Sequence, residues 1–389
     1  MMLIGKNVSF KDAQYTVTEL FFFQCLSAFV YEHQTPALDS AVSTSHLLRR
    51  IRQHHLCAVF ASCLRHDDLN VFLNTEAHRM AQRYLNMMSE MTSVITCMRK
   101  HAIEPVVLKG IPLNSQLYGH RCLREMSDLD VLIPPEALLL SHQCLLDLGY
   151  EFKSQIQVID LVNDYTFLMN YCSELLYWHP IKKVAIDLKW QLSPLHTFLS
   201  HWFVPDNLQT MERFNQPVRI LKNEQNFVYL CIHASQHGWE HLKWLLDLAM
   251  FDKKIPLHWP QVIRLAQEAH AIRSLLEASL LLKQVFAIQQ ETVPHRMMDK
   301  IAVVLRVYFI TRQWKKGPWK QNKTASYLFC VLNLLLYADW MQKRHYVLRL
   351  FLLRVKSLNQ IGLMVRPMPW KMIWRSWTRA SEYAQKTST

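Results

Sequence analysis

The segment "LREMSDLDVLIPP", residues 123–135, places two carboxylates, Asp128 and Asp130, inside an otherwise apolar run that ends in two prolines. The alternation of polar and apolar residues predicts a β-strand, in which residues i and i+2 lie on the same face. The two carboxylates should therefore lie side by side, about 6.6 Å apart along the strand. Leu129, Val131 and Ile133 should face the core. Two like charges this close repel each other unless a cation lies between them.

The composition is typical of a mainly helical chain with a sizeable core. Of the 389 residues, 50% are hydrophobic and only 7 are glycine, which argues against a loop-rich all-β protein. The nine cysteines contain no C-x-x-C pair, so neither a zinc knuckle nor a disulfide framework is indicated. A reducing cytoplasm is the expected location. The uncharged stretch at 324–338 is shorter than the ~20 residues of a membrane span, so it predicts a buried helix.

Changes in periodicity divide the sequence into four parts. Apolar residues at spacings of three and four predict helices in residues 1–95, at 45–64 and 77–103, and again throughout 196–312. Residues 96–195 instead contain short runs that predict strands at 105–110, 123–133, 150–154, 174–180 and 184–192, with helices at 111–119 and 134–149. We predict an α+β protein in which a small α/β core with a mixed sheet is flanked by helical regions. The fourth part, residues 313–389, is a basic, Trp-rich helical tail that begins near the hinge-like "WKKGPWKQNK" at 314–323.

Carboxylate oxygens without histidine or cysteine ligands suit Mg²⁺ or Mn²⁺. A third acid is available in the predicted strand "VAIDLKW", where Asp187 lies on the polar face. Three aspartates on strands can hold two metal ions about 3.5–4 Å apart for in-line displacement at phosphorus. In the simpler alternative, Asp128 caps the end of the strand and Asp130 is a solvated edge residue.

Five segments together resemble a known family. They are "VVLKGIPLNSQLYG" (106–119), "LREMSDLDVLI" (123–133), "LLDLGY" (145–150), "AIDLKWQL" (185–192) and "CIHASQHGWEHLKWLLDLA" (231–249). They resemble an uncharacterised bacterial nucleotidyltransferase family that carries Leu-Lys-Gly near the turn, within the superfamily related to DNA polymerase beta. The resemblance covers roughly residues 45–250. It implies a nucleotidyltransferase-type core and a glycine-bearing turn before the paired aspartates.

The resemblance implies metal-assisted transfer of a nucleoside monophosphate from an NTP to a hydroxyl-bearing acceptor, with release of pyrophosphate. Asp128, Asp130 and Asp187 would hold Mg²⁺ or Mn²⁺, and Asp187 could also act as the general base. The nucleotide would be bound by a further set of residues, namely Lys109, Gly110, Arg124, Ser127, His237 and Trp239. One departure from the superfamily is that Ile111, not serine or glycine, follows Gly110. Lys109 and Arg124 are then the available donors to the phosphates.

A histidine series, His233, His237 and His241, has the spacing that places side chains on one helical face. Three ligands on one straight helix would span about 12 Å, too far to share one zinc ion. We therefore expect a polar stripe that faces the cleft or packs between helices. His237 and Trp239 are the members of this segment expected to line the nucleotide pocket, and Asp247 is expected to orient a histidine or an arginine.

The formal charge is concentrated at the C-terminal end. From Arg312 onward there are 15 Lys and Arg residues against Asp339 and Glu382, so this part carries the whole net charge of +13. Trp370, Trp374 and Trp377 form one helical stripe beside a basic one. The tail is either a helix docked on the body or a segment that binds an anionic membrane surface or polyanion, and nucleic acid is the least favoured partner. We expect an accessory unit, dispensable for chemistry, that serves either localisation of a cytoplasmic protein, for example at the inner membrane face, or capture of the acceptor.

Two classes of function remain open. The first is an active nucleotidyltransferase, which the presence of all three aspartates favours. The second is a catalytically silent binding module with the same fold, which the substituted turn favours. On the charge pattern alone, Asp130→Asn should abolish metal-dependent nucleotide binding and leave the fold intact or more stable, because it removes one of several clustered charges.

Overall fold

A computed structural model describes residues 15–153, 172–193, 208–316 and 323–348. Positions 213, 215, 338, 339, 341 and 345 are omitted, and 161, 165, 168 and 169 are described singly. The predicted tryptophan stripe at 370–377 lies outside the described residues. Within the described part, every helix is too short or too polar to span a membrane.

The N-terminal region is helical, as predicted. It contains α1 (Val17–Val30), α2 (Thr44–Gln53), α3 (Cys57–Cys63) and α4 (Asp67–Lys100). Thr16 and Glu19 form a reciprocal capping box at the start of α1. The continuous helix expected over 45–64 is interrupted, because His55 adopts a φ of 57° that no right-handed helix can contain.

A seven-stranded mixed sheet forms the centre of the molecule. Its strands are β1 (Val106–Leu108), β2 (Asp128–Leu132), β3 (Glu151–Phe152), β4 (Glu174–His179), β5 (Val184–Lys189), β6 (Leu208–Met211) and β7 (Val218–Leu221). Their order across the sheet is β3-β4-β5-β2-β1-β7-β6. The pairs β2–β5 and β1–β7 are parallel, and the other neighbours are antiparallel. The sheet confirms the predicted α+β class and the five strands expected between 105 and 192.

The last two strands were not predicted. The sequence pattern assigned the region from 196 onward to helices, but β6 and β7 form a hairpin that adds to the sheet beside β1. "LQTM" has no apolar alternation, and "VRIL" is only four residues long, so neither has a clear strand signature. The sheet therefore continues beyond the predicted limit of the core at 195.

The remaining helices surround the sheet. They are α5 (Gly110–Tyr118) and α6 (Leu138–Asp147), followed by α7 (Asn223–Gln236), α8 (Leu242–Lys254), α9 (Trp259–Glu268), α10 (Ile272–Phe286), α11 (Met297–Lys316) and α12 (Lys323–Leu336). Two predicted domain boundaries fall inside helices, at 95 in α4 and at 312 in α11. Helix α12 matches the buried helix expected from the uncharged stretch at 324–338.

Both faces of the sheet are covered by apolar side chains. Leu129, Val131 and Ile133 pack with α4 and α6 in one core, as the alternation predicts. Leu132, on the opposite face, packs against Tyr229 of α7. A third and larger core joins α1–α3 to α7–α11, so the N-terminal and C-terminal helices form one packed body. The aspartates lie on the face that α7 covers, with Asp130 buried and Asp128 and Asp187 half-buried.

Candidate active site

The two aspartate-bearing strands lie next to each other. Strands β2 and β5 run parallel, and their register places Asp130 opposite Asp187. Asp128 precedes Asp130 by two residues and lies on the same face. This face borders a cavity of about 600 Å³ that all three carboxylates line. Asp130 is only 3% exposed, whereas Asp128 and Asp187 are half-buried.

Two buried lysines contact the most buried carboxylate. Lys109 Nζ lies 3.1 Å from Asp130 Oδ1, and Lys189 Nζ lies 3.4 Å from the same oxygen. Lys189 Nζ also pairs with Glu174 and lies 4.0 Å from Asp187 Oδ2. The sequence interpretation missed Lys189 and Glu174. The period of two in "VAIDLKW" places Lys189 on the same face as Asp187, so that signal was present.

The proton affinities of these groups reflect their mutual charges. Burial and the neighbouring charges of Asp130 and Asp128 raise the pKa of Asp187 to about 8. Burial opposes ionisation of Asp130, but Lys109 and Lys189 outweigh it and hold its pKa below the ordinary value. Burial, reinforced by the charge of Lys109, lowers the pKa of Lys189 to about 8. Asp130 is thus the permanent anion of the cluster, whereas Asp187 and Lys189 can gain or lose a proton near neutral pH.

The predicted turn lies at one wall of this cavity. Lys109 and Gly110 both have positive φ, 50° and 39°, and α5 starts directly after β1. A left-handed backbone is inexpensive for glycine and strained for most other residues, which accounts for the glycine here. The Lys109 side chain also approaches His233, with Nζ 3.4 Å from Nε2. Helix α5 therefore begins at the edge of the cavity, next to a buried cation.

Arg124 lies in the cavity wall but is already paired. Its Nε donates to Asp247 Oδ2 at 2.9 Å, and both side chains are buried. Asn114 fixes the loop, because its Oδ1 accepts from the backbone N–H groups of Leu123 and Arg124. The expectation that Asp247 orients an arginine is confirmed by this contact. Ser127 lines the cavity nearby and is exposed.

The histidine series does not lie on one helix. Helix α7 ends at Gln236, and the chain turns through positive φ at Gly238 and Trp239. His233 and His237 line the cavity with ring centres 4.6 Å apart, and Trp244 packs against both rings. His241 instead lies outside this wall, with Nδ1 2.9 Å from the Gln53 carbonyl. The turn is thus the physical reason that the one-stripe prediction was wrong.

Trp239 is a second correction. Its side chain is fully buried in the helical core, and its indole N–H donates to Glu277 at 2.6 Å. It does not line the cavity, because the positive φ directs the chain back into the body. Trp244 is the tryptophan that lines the cavity in its place.

The C-terminal segment completes the cavity wall. Asn333, Tyr337 and Tyr346 line the cavity from α12 and the residues after it. Asn333 is held by Arg306, whose Nη1 donates to its side-chain oxygen at 3.0 Å. These three residues follow the predicted boundary at 312, so part of the predicted tail lines the cavity.

The donor set fits a hard divalent cation, since it offers carboxylate oxygens. Asp130 Oδ1 is buried and makes no hydrogen bond of regular geometry despite its close lysines. Burial, and after it the charges of Asp130 and Asp128, raise the pKa of Asp187, and a cation between these carboxylates would favour its ionised form. Within the described chain, the three aspartates do not form a group whose ligand atoms all lie within 4.8 Å of one another. They therefore suit ions bound through one or two carboxylates and completed by substrate oxygens.

Comparisons with known proteins place this geometry in context. The family profile described as "Uncharacterised nucleotidyltransferase" matches residues 40–287. A solved structure of the antibiotic-resistance factor ANT(2'')-Ia is 12% identical, covers 49% of this chain and 95% of its own, and superposes with a TM-score of 0.35. JHP933 from Helicobacter pylori is 15% identical, covers 63% of this chain and 97% of its own, and has a TM-score of 0.28. With such scores neither similarity bears on activity. No curated protein matches the chain.

Proposed function

The chain belongs to the family of uncharacterised nucleotidyltransferases, and from this premise we propose that it transfers a nucleoside monophosphate from an NTP to a hydroxyl-bearing acceptor, with release of pyrophosphate. The observation that supports the proposal is the register of β2 and β5, which puts Asp130 opposite Asp187 and brings Asp128 onto the same cavity. Buried lysines beside these acids make the cavity suitable for a ligand that carries both phosphate groups and a cation.

Asp128, Asp130 and Asp187 are the residues that would hold Mg²⁺ or Mn²⁺. When bound, such an ion neutralises charge on the triphosphate and lowers the pKa of an acceptor hydroxyl. Lys109 would donate to phosphate oxygens, since its ammonium borders the cavity beside the turn. Gly110 has no Cβ and allows the triphosphate to approach the backbone at the start of α5.

The pKa of Asp187 is about 8 in the metal-free protein, and a bound cation would lower it by offsetting the neighbouring carboxylate charges. In that ionised form Asp187 would receive the proton of the acceptor hydroxyl. It is the half-buried carboxylate of the opposed pair, so an acceptor can reach it, whereas Asp130 is enclosed by Lys109 and Lys189. Lys189 would keep the charge of the carboxylate cluster balanced before the substrate enters. Most of the rate would then come from positioning and charge stabilisation, as is general for phosphoryl transfer.

The base of the nucleotide would contact the aromatic part of the cavity wall. His237 and Trp244 provide flat rings there, and Tyr337 and Tyr346 contribute from the C-terminal segment. Aromatic faces stack on any nucleobase and contribute about 1–3 kcal/mol per base. Arg124 would act mainly through its pair with Asp247 by fixing the loop that carries Ser127 and leads into β2.

One observation favours a second function, a catalytically silent module that binds an anionic ligand. Lys109 and Lys189 lie where they already neutralise Asp130, so the cluster is satisfied without a metal ion. In that case the cavity would bind a phosphate-bearing ligand without transfer. The two functions differ in a single measurable product, pyrophosphate.

The test is a screen of the four NTPs with Mg²⁺ or Mn²⁺, recording pyrophosphate release and thermal stabilisation. Transfer is supported if the wild type releases pyrophosphate and Asp187→Asn does not. The control variant Asp39→Asn should retain this activity, because Asp39 is exposed and lies more than a hundred residues before Asp187 in the chain. Stabilisation by an NTP without pyrophosphate, across hydroxyl-bearing acceptors, would support the silent module. Neither stabilisation nor pyrophosphate with any NTP would contradict both.

The basic tail retains its proposed role as an attachment segment for an anionic membrane surface, with the protein on the cytoplasmic side. The support is its net charge of +13, since each base near an anionic surface contributes about 1 kcal/mol. Truncation from Pro367 spares every described residue of the cavity. Residues 367–389 hold four of the 15 bases and Glu382, so the truncation removes a net charge of +3 together with the three tryptophans. Binding to anionic vesicles, measured by co-sedimentation, should weaken at least 10-fold, and unchanged binding would exclude residues 367–389 as the attachment segment.

A further inference from the structure

A second cluster of potential ligands lies outside the aspartate cavity. Cys97 is on the last turn of α4, His101 caps that helix, and Cys144 faces them from α6. One ligand atom of each residue lies within 4.8 Å of the other two. Cys97 Sγ is also 3.9 Å from the Cys144 carbonyl oxygen. Cys97 and His101 are four residues apart, but Cys144 lies 47 residues after Cys97, and the three form no C-x-x-C motif, so only the packing of α4 on α6 brings them together.

We propose that Cys97, His101 and Cys144 bind a thiophilic divalent cation, Zn²⁺, through two thiolates and one imidazole with a fourth position open to water. In a tetrahedral site the Zn–S distance is about 2.3 Å and the Zn–N distance about 2.0 Å, which separates ligand atoms by about 3.5–3.8 Å. The ligand atoms lie within 4.8 Å of one another, so the widest separation that this allows exceeds that range by about 1 Å.

Charge at this position favours a cation. On binding, each thiol releases one proton to solvent, so two thiolates offset the charge of the metal ion. Burial raises the pKa of the Cys144 thiol to about 12, so without a metal this cysteine remains a thiol. Asp147 lies on the same helix close enough to influence Cys144. The C-terminal ends of α4 and α6 also meet here, and each carries partial negative charge.

The bound ion would join α4 to α6. Helix α4 also packs on the sheet, where Met91 and Val94 share a core with Leu129 and Val131 of the strand that carries the aspartates. The ion would therefore fix the helix that supports this strand. The ion would thereby stabilise the packing of these helices, separately from the metal ions of the proposed transfer reaction, and its fourth position would keep an exchangeable water, unlike the closed set of a purely structural zinc site.

The experiment uses the full-length protein, stripped of metal by a chelator and kept reduced, and titrated with Zn²⁺ and with Co²⁺ as a spectroscopic probe. Cys97→Ser and His101→Ala alter a half-buried and an exposed residue, so both should fold. Cys63→Ser is the matched control, because this half-buried thiol also lies near a carbonyl, 3.8 Å from that of Phe60.

We expect the wild type and Cys63→Ser to bind one Zn²⁺ tightly, with a rise in melting temperature and a thiolate-to-Co²⁺ charge-transfer absorption. Cys97→Ser and His101→Ala should lose at least about 10-fold in affinity, since even outer partners of a ligand contribute that much. Equal Zn²⁺ affinity in all four proteins would overturn the proposal. So would the lack of Zn²⁺ binding by the reduced, metal-free wild type.

Discussion

Replacing Asp130 by asparagine should destabilise the ligand-free protein. The pattern of acids in the sequence suggests the opposite, since it shows three clustered carboxylates whose repulsion the substitution would relieve. The structure reverses this expectation for stability. Asp130 is the buried counter-ion of both Lys109 and Lys189, and asparagine would leave these two ammonium groups without it.

The magnitude follows from two opposing effects. Removing one partner of a buried ion pair costs about 3–5 kcal/mol, because the remaining charge stays buried without compensation. Against this, the substitution removes one of the charges that, together with burial, raise the pKa of Asp187, so Asp187 can ionise more readily beside the lysines. Lys189, whose pKa is about 8, can also release its proton. Both responses reduce the loss. We expect the free energy of unfolding to fall by about 2–4 kcal/mol.

The assay is urea unfolding at pH 7, followed by circular dichroism in the presence of a chelator and without nucleotide. Asp187→Asn is the matched control on the opposed strand. With a pKa of about 8, Asp187 is largely protonated at this pH, so an isosteric neutral amide should change stability by less than about 1 kcal/mol. Both variants should lose metal-dependent NTP binding, which separates stability from function.

A result in which Asp130→Asn is as stable as the wild type, or more stable, would refute this reasoning. It would show that repulsion among the carboxylates outweighs the lysine pairs. A large loss of stability in Asp187→Asn would also contradict it, because that carboxyl would then have to be charged in the folded protein.

Three further predictions concern other groups. Lys109→Met should weaken NTP binding by about 10–100-fold in calorimetry, the value of lost charged hydrogen bonds, whereas the exposed Lys222→Met should not. Burial and the charge of His55 lower the pKa of His241 to about 4. Below pH ~6.5 the unfolded chain therefore binds more protons than the folded chain, and the free energy of unfolding decreases as the pH is lowered. His241→Asn should reduce by about 1–2 kcal/mol the stability that is lost between pH 7.5 and 5, as measured in urea titrations. Arg306→Met should lower the free energy of unfolding by about 3–5 kcal/mol, since it leaves the fully buried Glu277 without its cation. The double variant with Glu277→Gln should recover part of the lost urea midpoint.

Local alternation was sufficient to predict the aspartate strands. A period of two around Asp128, Asp130 and Asp187 places these side chains on the polar face of their strands whatever their partners are. The same reasoning found the turn at Gly110 and the helix that follows it. These features depend on residues adjacent in the chain, so a short segment contains all the information they require.

Tertiary structure decided the environment of these carboxylates. The pairing of Asp130 with two lysines, the burial of Trp239 on Glu277 and the wall supplied by Tyr337 and Tyr346 all join segments distant in sequence. The hairpin of β6 and β7 likewise becomes part of the sheet only through β1, more than a hundred residues earlier. The periodicity of a segment determines which face each side chain takes, but the partner that neutralises a buried charge is set by long-range packing, because burial and electrostatic interactions depend on distance in space.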